Sequence, residues 1–212
     1  MSESGADRDV ARRVVERHLL PADSRVESVY RRPDGIVVQS DVAPLAWVAM
    51  PVRTAVEGFD VLDVLQDEDI DPPPAPEGFA VAADGRSFHL NEPEGIRGFW
   101  VAAGGRIPPE ELARHLAKYQ SGDHEGRLLG AQHVPAPHLA EPSLESIPEC
   151  ELVADVLEGR LRLRFCSYAV SPTGPDAQDR ISVRRWDVRA DEESIDWSTE
   201  LVAELLPDSR DE

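Results

Sequence analysis

Apolar positions recur every three to four residues in ADRDVARRVVERHLL (6–20), where Val10, Val14, Val15 and His18 fall near one stripe and Arg and Glu take the other positions. That period predicts an amphipathic helix, ended by Pro21. The pattern then shortens. RVESVYRR and GIVVQSDV flank Pro33-Asp34-Gly35, and PLAWVAM follows as a third extended run, so residues 25–50 read as a meander. In 53–68 the spacing lengthens again, with Val56, Phe59, Leu62 and Leu65 at threes and Asp60, Asp63 and Asp67 sharing the other side, which predicts a helix weakened by Gly58.

DPPPAPEG (71–78) reads as a stiff, extended connector. Beyond it, FAVAA and RSFHL flank the hairpin dipeptide Asp84-Gly85, IRGFWVAA reads as a strand, and PPEELARHLAKYQ as a helix with Pro in its first turn. After a loop at 121–149 come CELVADVL, RLRLRFCSYAV and RISVRRWDVRA as strands, then a helix from about Ser194 to Leu206. Each third strand carries a tryptophan: Trp47, Trp100 and Trp186. The predicted class is α+β, in the order α-βββα-βββα-βββα, with antiparallel meanders covered by helices on one side. The predicted domains are an N-terminal lobe at 1–120, a Pro- and His-containing linker at 121–149, and a C-terminal lobe at 150–212 with an acidic tail. The turn glycines 35, 85 and 159 precede their tryptophans by 12, 15 and 27 residues, too uneven for a solenoid period.

With Glu158-Gly159 as a two-residue turn, Leu152, Ala154 and Val156 pair with Leu161, Leu163 and Phe165 as one buried face, and Asp155 lies opposite Arg162. In that register Cys150 points to the apolar face and Cys166 to the polar one, so they are not expected to form a disulfide, matching a reducing compartment.

Length and composition add that the chain is globular: 212 residues, 41% hydrophobic and 30% charged. Charge adds more. The net is −19, and of 22 basic residues Lys118 is the one lysine. A surface that negative repels nucleic-acid backbone and favours either general solubility or a basic protein partner. The opening MSESGADRDVARR lacks an apolar core behind basic residues, so no secretory leader is expected and the cytoplasm is the expected compartment. APLAWVAMPV (43–52) is half the roughly 20 residues a membrane helix needs, so no membrane association is expected.

Candidate chemistry is sparse. Asp67, Asp69 and Asp71 alternate like the start of a calcium loop, but Pro72 and Gly78 stand where that loop wants Gly and a bidentate Glu. His124, His133 and His138 could ligate a metal, without the spacing of a metal motif, and no cofactor is expected. Gly104-Gly105 before the helix at 108 could present backbone N–H groups to an anion, but two adjacent glycines are more often a turn, and Pro108 and Pro109 remove two of the donors such a site would use. No nucleophile elbow, phosphate loop or dinucleotide fingerprint occurs.

Two charged features remain. Between Thr54 and Gly85 there are nine acidic residues and no Lys or Arg, and Asp60, Asp63, Asp67 and Asp69 are the expected partner-binding residues. Against the overall charge, Arg160, Arg162 and Arg164 alternate with Leu161, Leu163 and Phe165 and form a ridge, either a solvated sheet face or an anion site. The expected function is a non-enzymatic interaction or regulatory module of the immunity, antitoxin or chaperone kind, binding a basic protein. The alternative is a small enzyme or metal-binding protein using the histidine loop.

Overall fold

A computed structural model describes residues 3–42, 45–67, 75–121, 126–129, 152–171 and 180–205. The periodic first segment forms α1 (Glu3–Val14) and continues as one wider π turn (Val15–Leu19), closed by Leu20 N–H donating to the Val15 carbonyl at 2.8 Å. Six antiparallel strands follow in sequence order: β1 (Val26–Arg32), β2 (Gly35–Ser40), β3 (Ala46–Val52), β4 (Phe59–Gln66), β5 (Glu77–Ala82) and β6 (Ser87–His89). Two helices come next, α2 (Pro93–Ala102) and α3 (Pro109–Tyr119). The second sheet runs β11 (Ile195–Leu205), β10 (Arg180–Ala190), β9 (Arg160–Ser171), β7 (Gly126–Leu129), with β8 (Val153–Leu157) also paired to β9. The class is α+β, but a six-stranded meander replaces the expected repetition of three strands and a helix. Two compact units result, Met1–Phe99 and Trp100–Glu212. No helix among the described residues is long and apolar enough to cross a membrane.

In the first unit Val10, Ala11, Val14 and Val15 pack on one sheet face made by Ile36, Val38, Trp47, Ala49, Leu62, Val64, Phe79 and Val81. The opposite face is not left to solvent. Phe99 of α2 lies 5.0 Å from Phe59 and 6.5 Å from Phe88, ring centre to ring centre, so helices cover both faces rather than one.

That double cover explains why Phe59–Gln66 is a strand where a helix is expected over 53–68. Val61, Leu62, Asp63 and Val64 are buried in succession between β3 and β5, and a strand covered on both faces loses its alternation. Gly58, at φ 81°, turns the chain into it.

The expected strand at 96–103 is α2 instead. Pro93 and Glu94 suit a first helical turn, and Ile96, Phe99, Trp100 and Ala103 are buried at helical spacing. Gly95 brings this helix against backbone, since a Cβ there would lie 1.7 Å from the His89 carbonyl oxygen. Trp100 therefore sits on a helix, not on a third strand. Gly104 and Gly105, at φ 62° and 67°, end it: their N–H groups donate to Val101 and Trp100 carbonyls and are not presented to an anion.

The expected C-terminal helix is β11, paired along β10 from Ala190↔Ile195 to Ile181↔Leu205. The expected helix start at Ser194 is instead a turn, since Asp and Ser side chains hydrogen-bond nearby backbone and close turns. Here Asp191 Oδ1 accepts from the N–H groups of Glu193 (3.0 Å) and Ser194 (2.8 Å) and closes a hairpin. Trp186, fully buried, stacks on Phe165 at 5.4 Å and donates to Ser167 Oγ at 2.8 Å, forming the centre of this sheet's core. His115 is buried on α3 beside Glu111, as a core histidine.

Candidate functional site

The expected acidic patch is not one surface. Asp60 and Asp63 are an odd number of residues apart on β4, which puts them on opposite faces. Asp60 is exposed, whereas Asp63 is 7% exposed, opposite Met50 on β3 and Gly78 on β5. Asp67 accepts two bonds from Arg32, at 2.9 and 3.2 Å, and the same guanidinium holds Asp34 below the usual carboxylate range. Carboxylates without a basic neighbour in sequence are thus answered across the fold. Asp69 and residues 71–74 of the expected connector lie outside the described residues, as do His124, His133, His138 and Cys150, while Glu77 and Gly78 of that connector already belong to β5. Among the described residues no three metal-ligating side chains converge.

The hairpin register is as read from the sequence: Asp155 pairs with Arg162 and Val156 with Leu161, across a turn in which Glu158 (φ 53°) and Gly159 (φ 75°) are both left-handed. Burial differs from the expectation. Leu161, Leu163 and Phe165 are buried, but Ala154 is exposed and Val156 is 70% exposed, because pairing fixes which residues share a face and not whether a further layer covers it. Cys166 is also buried, so the polar face of β9 extends only to Arg164.

Arg160, Arg162 and Arg164 do project together from that exposed stretch. Asp187 of β10 sits among them, 3.5 Å from Arg162 Nη2, 3.5 Å from Arg164 Nε and 3.6 Å from Arg189 Nε. The ridge carries its own counter-ion. Changing Arg162 and Arg164 together to Gln is expected to alter unfolding stability by no more than about 1 kcal/mol, the range of exposed ion pairs. Melting curves with and without phosphate or an acidic peptide separate a solvated face from an anion site: an anion that protects the wild type but not the double variant identifies a site.

At the same end of this sheet two hairpin turns adjoin, since Leu161 pairs with Val156 on one side and Ala190 on the other. One turn offers Val156 and Leu157, 70% and 74% exposed, with Glu158. The other offers exposed Asp191, Glu192 and Glu193. Trp100 Nε1 donates to the Asp191 carbonyl at 2.5 Å, and the Asp191 carboxyl is held low first by its bond from Ser194, so this turn is built rigidly. Apolar and acidic groups share one exposed end, with Arg160 and Arg189 beside them.

A second constellation lies in the first unit, where the π turn meets β5 and β6. His18 Nε2 and Ser87 Oγ share a 2.7 Å hydrogen bond, and Arg17 Nη1 donates to the same hydroxyl at 3.4 Å and to the Gly85 carbonyl at 3.5 Å. The wider turn takes His18 off the buried stripe and lays its ring over Phe79 at 5.0 Å. His89 stacks on the other part of that ring at 4.8 Å, 6.4 Å from His18, with Glu77 Oε2 at 2.5 Å and Glu92 Oε1 at 3.4 Å.

The two imidazoles are pushed apart. Partial burial, then the neighbouring His89, lowers the His18 pKa, whereas the Glu77 hydrogen bond raises that of His89 and lowers that of Glu77. The Glu77–His89 pair is therefore complete between the ordinary carboxyl and imidazole values, about pH 4.3 to 6.5. Its stabilisation fades as pH rises through the raised His89 value, and as pH falls through the lowered Glu77 value. The melting-temperature deficit of Glu77→Gln is expected to be largest in that window and to shrink toward pH 9.

None of this cluster stands out in the sequence, because Arg17-His18 and Ser87-Phe88-His89 are separated by almost the whole first sheet. Comparison with known proteins finds no family model, no curated protein and no solved structure that matches this chain.

Proposed function

We propose that the protein is a non-enzymatic interaction module, of the immunity, antitoxin or chaperone kind, that binds a basic protein. The observation that carries this reading is the exposed end of the second sheet, where Val156 and Leu157 adjoin Glu158, Asp191, Glu192 and Glu193. Among the described residues β8 is an outer strand paired only to β9, an edge that another chain can meet, and its exposed Val156 and Leu157 add apolar surface on its two faces. Exposed carboxylates beside them suit Lys or Arg on the partner, and a net charge of −19 steers such a protein toward the chain.

The test is affinity capture from native lysate at low salt, followed by kinetics with the captured protein. Val156→Ser with Leu157→Ser is expected to leave folding intact and to speed dissociation. Glu192→Lys with Glu193→Lys is expected to slow association and flatten its salt dependence, since charge acts on the rate of encounter. Wild-type rates in both double variants would overturn the reading.

A further inference from the structure

We propose that Ser87 is a nucleophile activated by His18, and that this corner of the first unit cleaves small neutral esters. This goes beyond the partner-binding reading and rests on different residues.

A hydroxyl becomes nucleophilic when a base takes its proton as it attacks, which requires a hydrogen bond to that base of the length seen here, 2.7 Å. A guanidinium only donates, so the Arg17 contact uses one lone pair of Ser87 Oγ, and with neutral His18 protonated at Nδ1 the Ser87 O–H donates to Nε2. His18 is held neutral, ready to accept, and Phe79 fixes the plane of its ring. Arg17, beside the hydroxyl, is placed to stabilise negative charge that develops on the carbonyl oxygen during attack. His18 packs one side of its ring on Phe79 and keeps the rest in solvent, and Ser87 is half-buried, so a small substrate reaches both.

Charge selects the substrate class. The groups facing the pair are Arg17 from the π turn, Glu77 from β5, His89 from β6 and Glu92 from the turn after it. Two cations are matched by two carboxylates, a balance that suits an uncharged ester over a phosphate dianion.

The steps balance without a cofactor. Ser87 Oγ bonds to the acyl carbon while its proton passes to His18 Nε2. The ester C–O bond breaks, and that proton leaves with the alkoxide as an alcohol. Water, deprotonated by His18, then cleaves the acyl–Ser87 bond, releasing the carboxylic acid and returning a proton to Ser87.

A fluorophosphonate probe and 4-nitrophenyl acetate test this on the full chain, with peptide mapping to locate the adduct. The probe is expected to label Ser87, and Ser87→Ala is expected to lose both the adduct and turnover. His18→Gln is expected to slow labelling by about 100-fold or more while its circular dichroism and melting curve match the wild type, the range of general-base contributions. The labelling rate is expected to rise with pH through a midpoint below that of ordinary imidazole. Folded wild-type protein with no adduct at Ser87, or equal labelling in His18→Gln, would overturn the proposal.

Discussion

Replacing Trp186 by alanine is expected to cost the second unit about 3–5 kcal/mol, as for other large-to-small changes at fully buried aromatic positions. Three losses coincide there. The indole is fully buried, its stack on Phe165 disappears, and Ser167 Oγ, in a residue 1% exposed, loses the N–H that donates to it. Trp186→Phe is the milder change, because it keeps one ring against Phe165 while giving up the hydrogen bond and part of the indole's volume. It is expected to cost about 1–3 kcal/mol, less than the alanine variant. Chemical denaturation followed by circular dichroism measures both. The first unit shares none of these contacts, so a biphasic curve in which only one transition moves is the expected form. A Trp186→Ala variant within 1 kcal/mol of wild type would mean that this core reorganises around the gap.

Gly95→Ala is the second large effect, and it runs against local propensity. Alanine in a helix is better than glycine by about 1 kcal/mol in isolation. At Gly95, however, the added carbon would meet backbone: the His89 carbonyl oxygen at 1.7 Å and its carbon at 2.5 Å. A side chain could rotate away, but a backbone carbonyl moves only with its strand. The expected net cost is about 1–3 kcal/mol or more, the range for overpacking. His89 must shift with its carbonyl, so the Glu77–His89 pair is expected to weaken too, and with it the melting-temperature difference between pH 5.5 and pH 9. A Gly95→Ala protein as stable as wild type, with an unchanged pH profile, would contradict the close packing of α2 on the end of β6.

Several elements were legible because the cue and the structure are both local. α1 and α3 follow a 3.6-residue stripe, and Pro33-Asp34, Asp84-Gly85 and Glu158-Gly159 are turns whatever surrounds them. The pairing of Asp155 with Arg162 follows from that last turn, since a two-residue connection sets the register of both strands. Charge told less. Counted along the chain, residues 54–85 are uncompensated, yet Arg32 and Arg86 answer Asp67 and Asp84 from outside that range, and Asp63 is buried.

What the sequence determined by itself is therefore the α+β class, the local turns, the register of one hairpin and the strong overall acidity. Tertiary structure decided the rest, for one physical reason: burial depends on what lies across from a residue, which spacing along the chain does not encode. β4 is a strand because helices cover both faces of its sheet, α2 lies against β6 because Gly95 and Gly98 leave room for the His89 backbone and the Phe88 ring, and β11 is a strand because β10 offers it a ladder of partners. The Ser87–His18 bond belongs to the same class, joining residues 69 apart in sequence through the folding of the five strands between them.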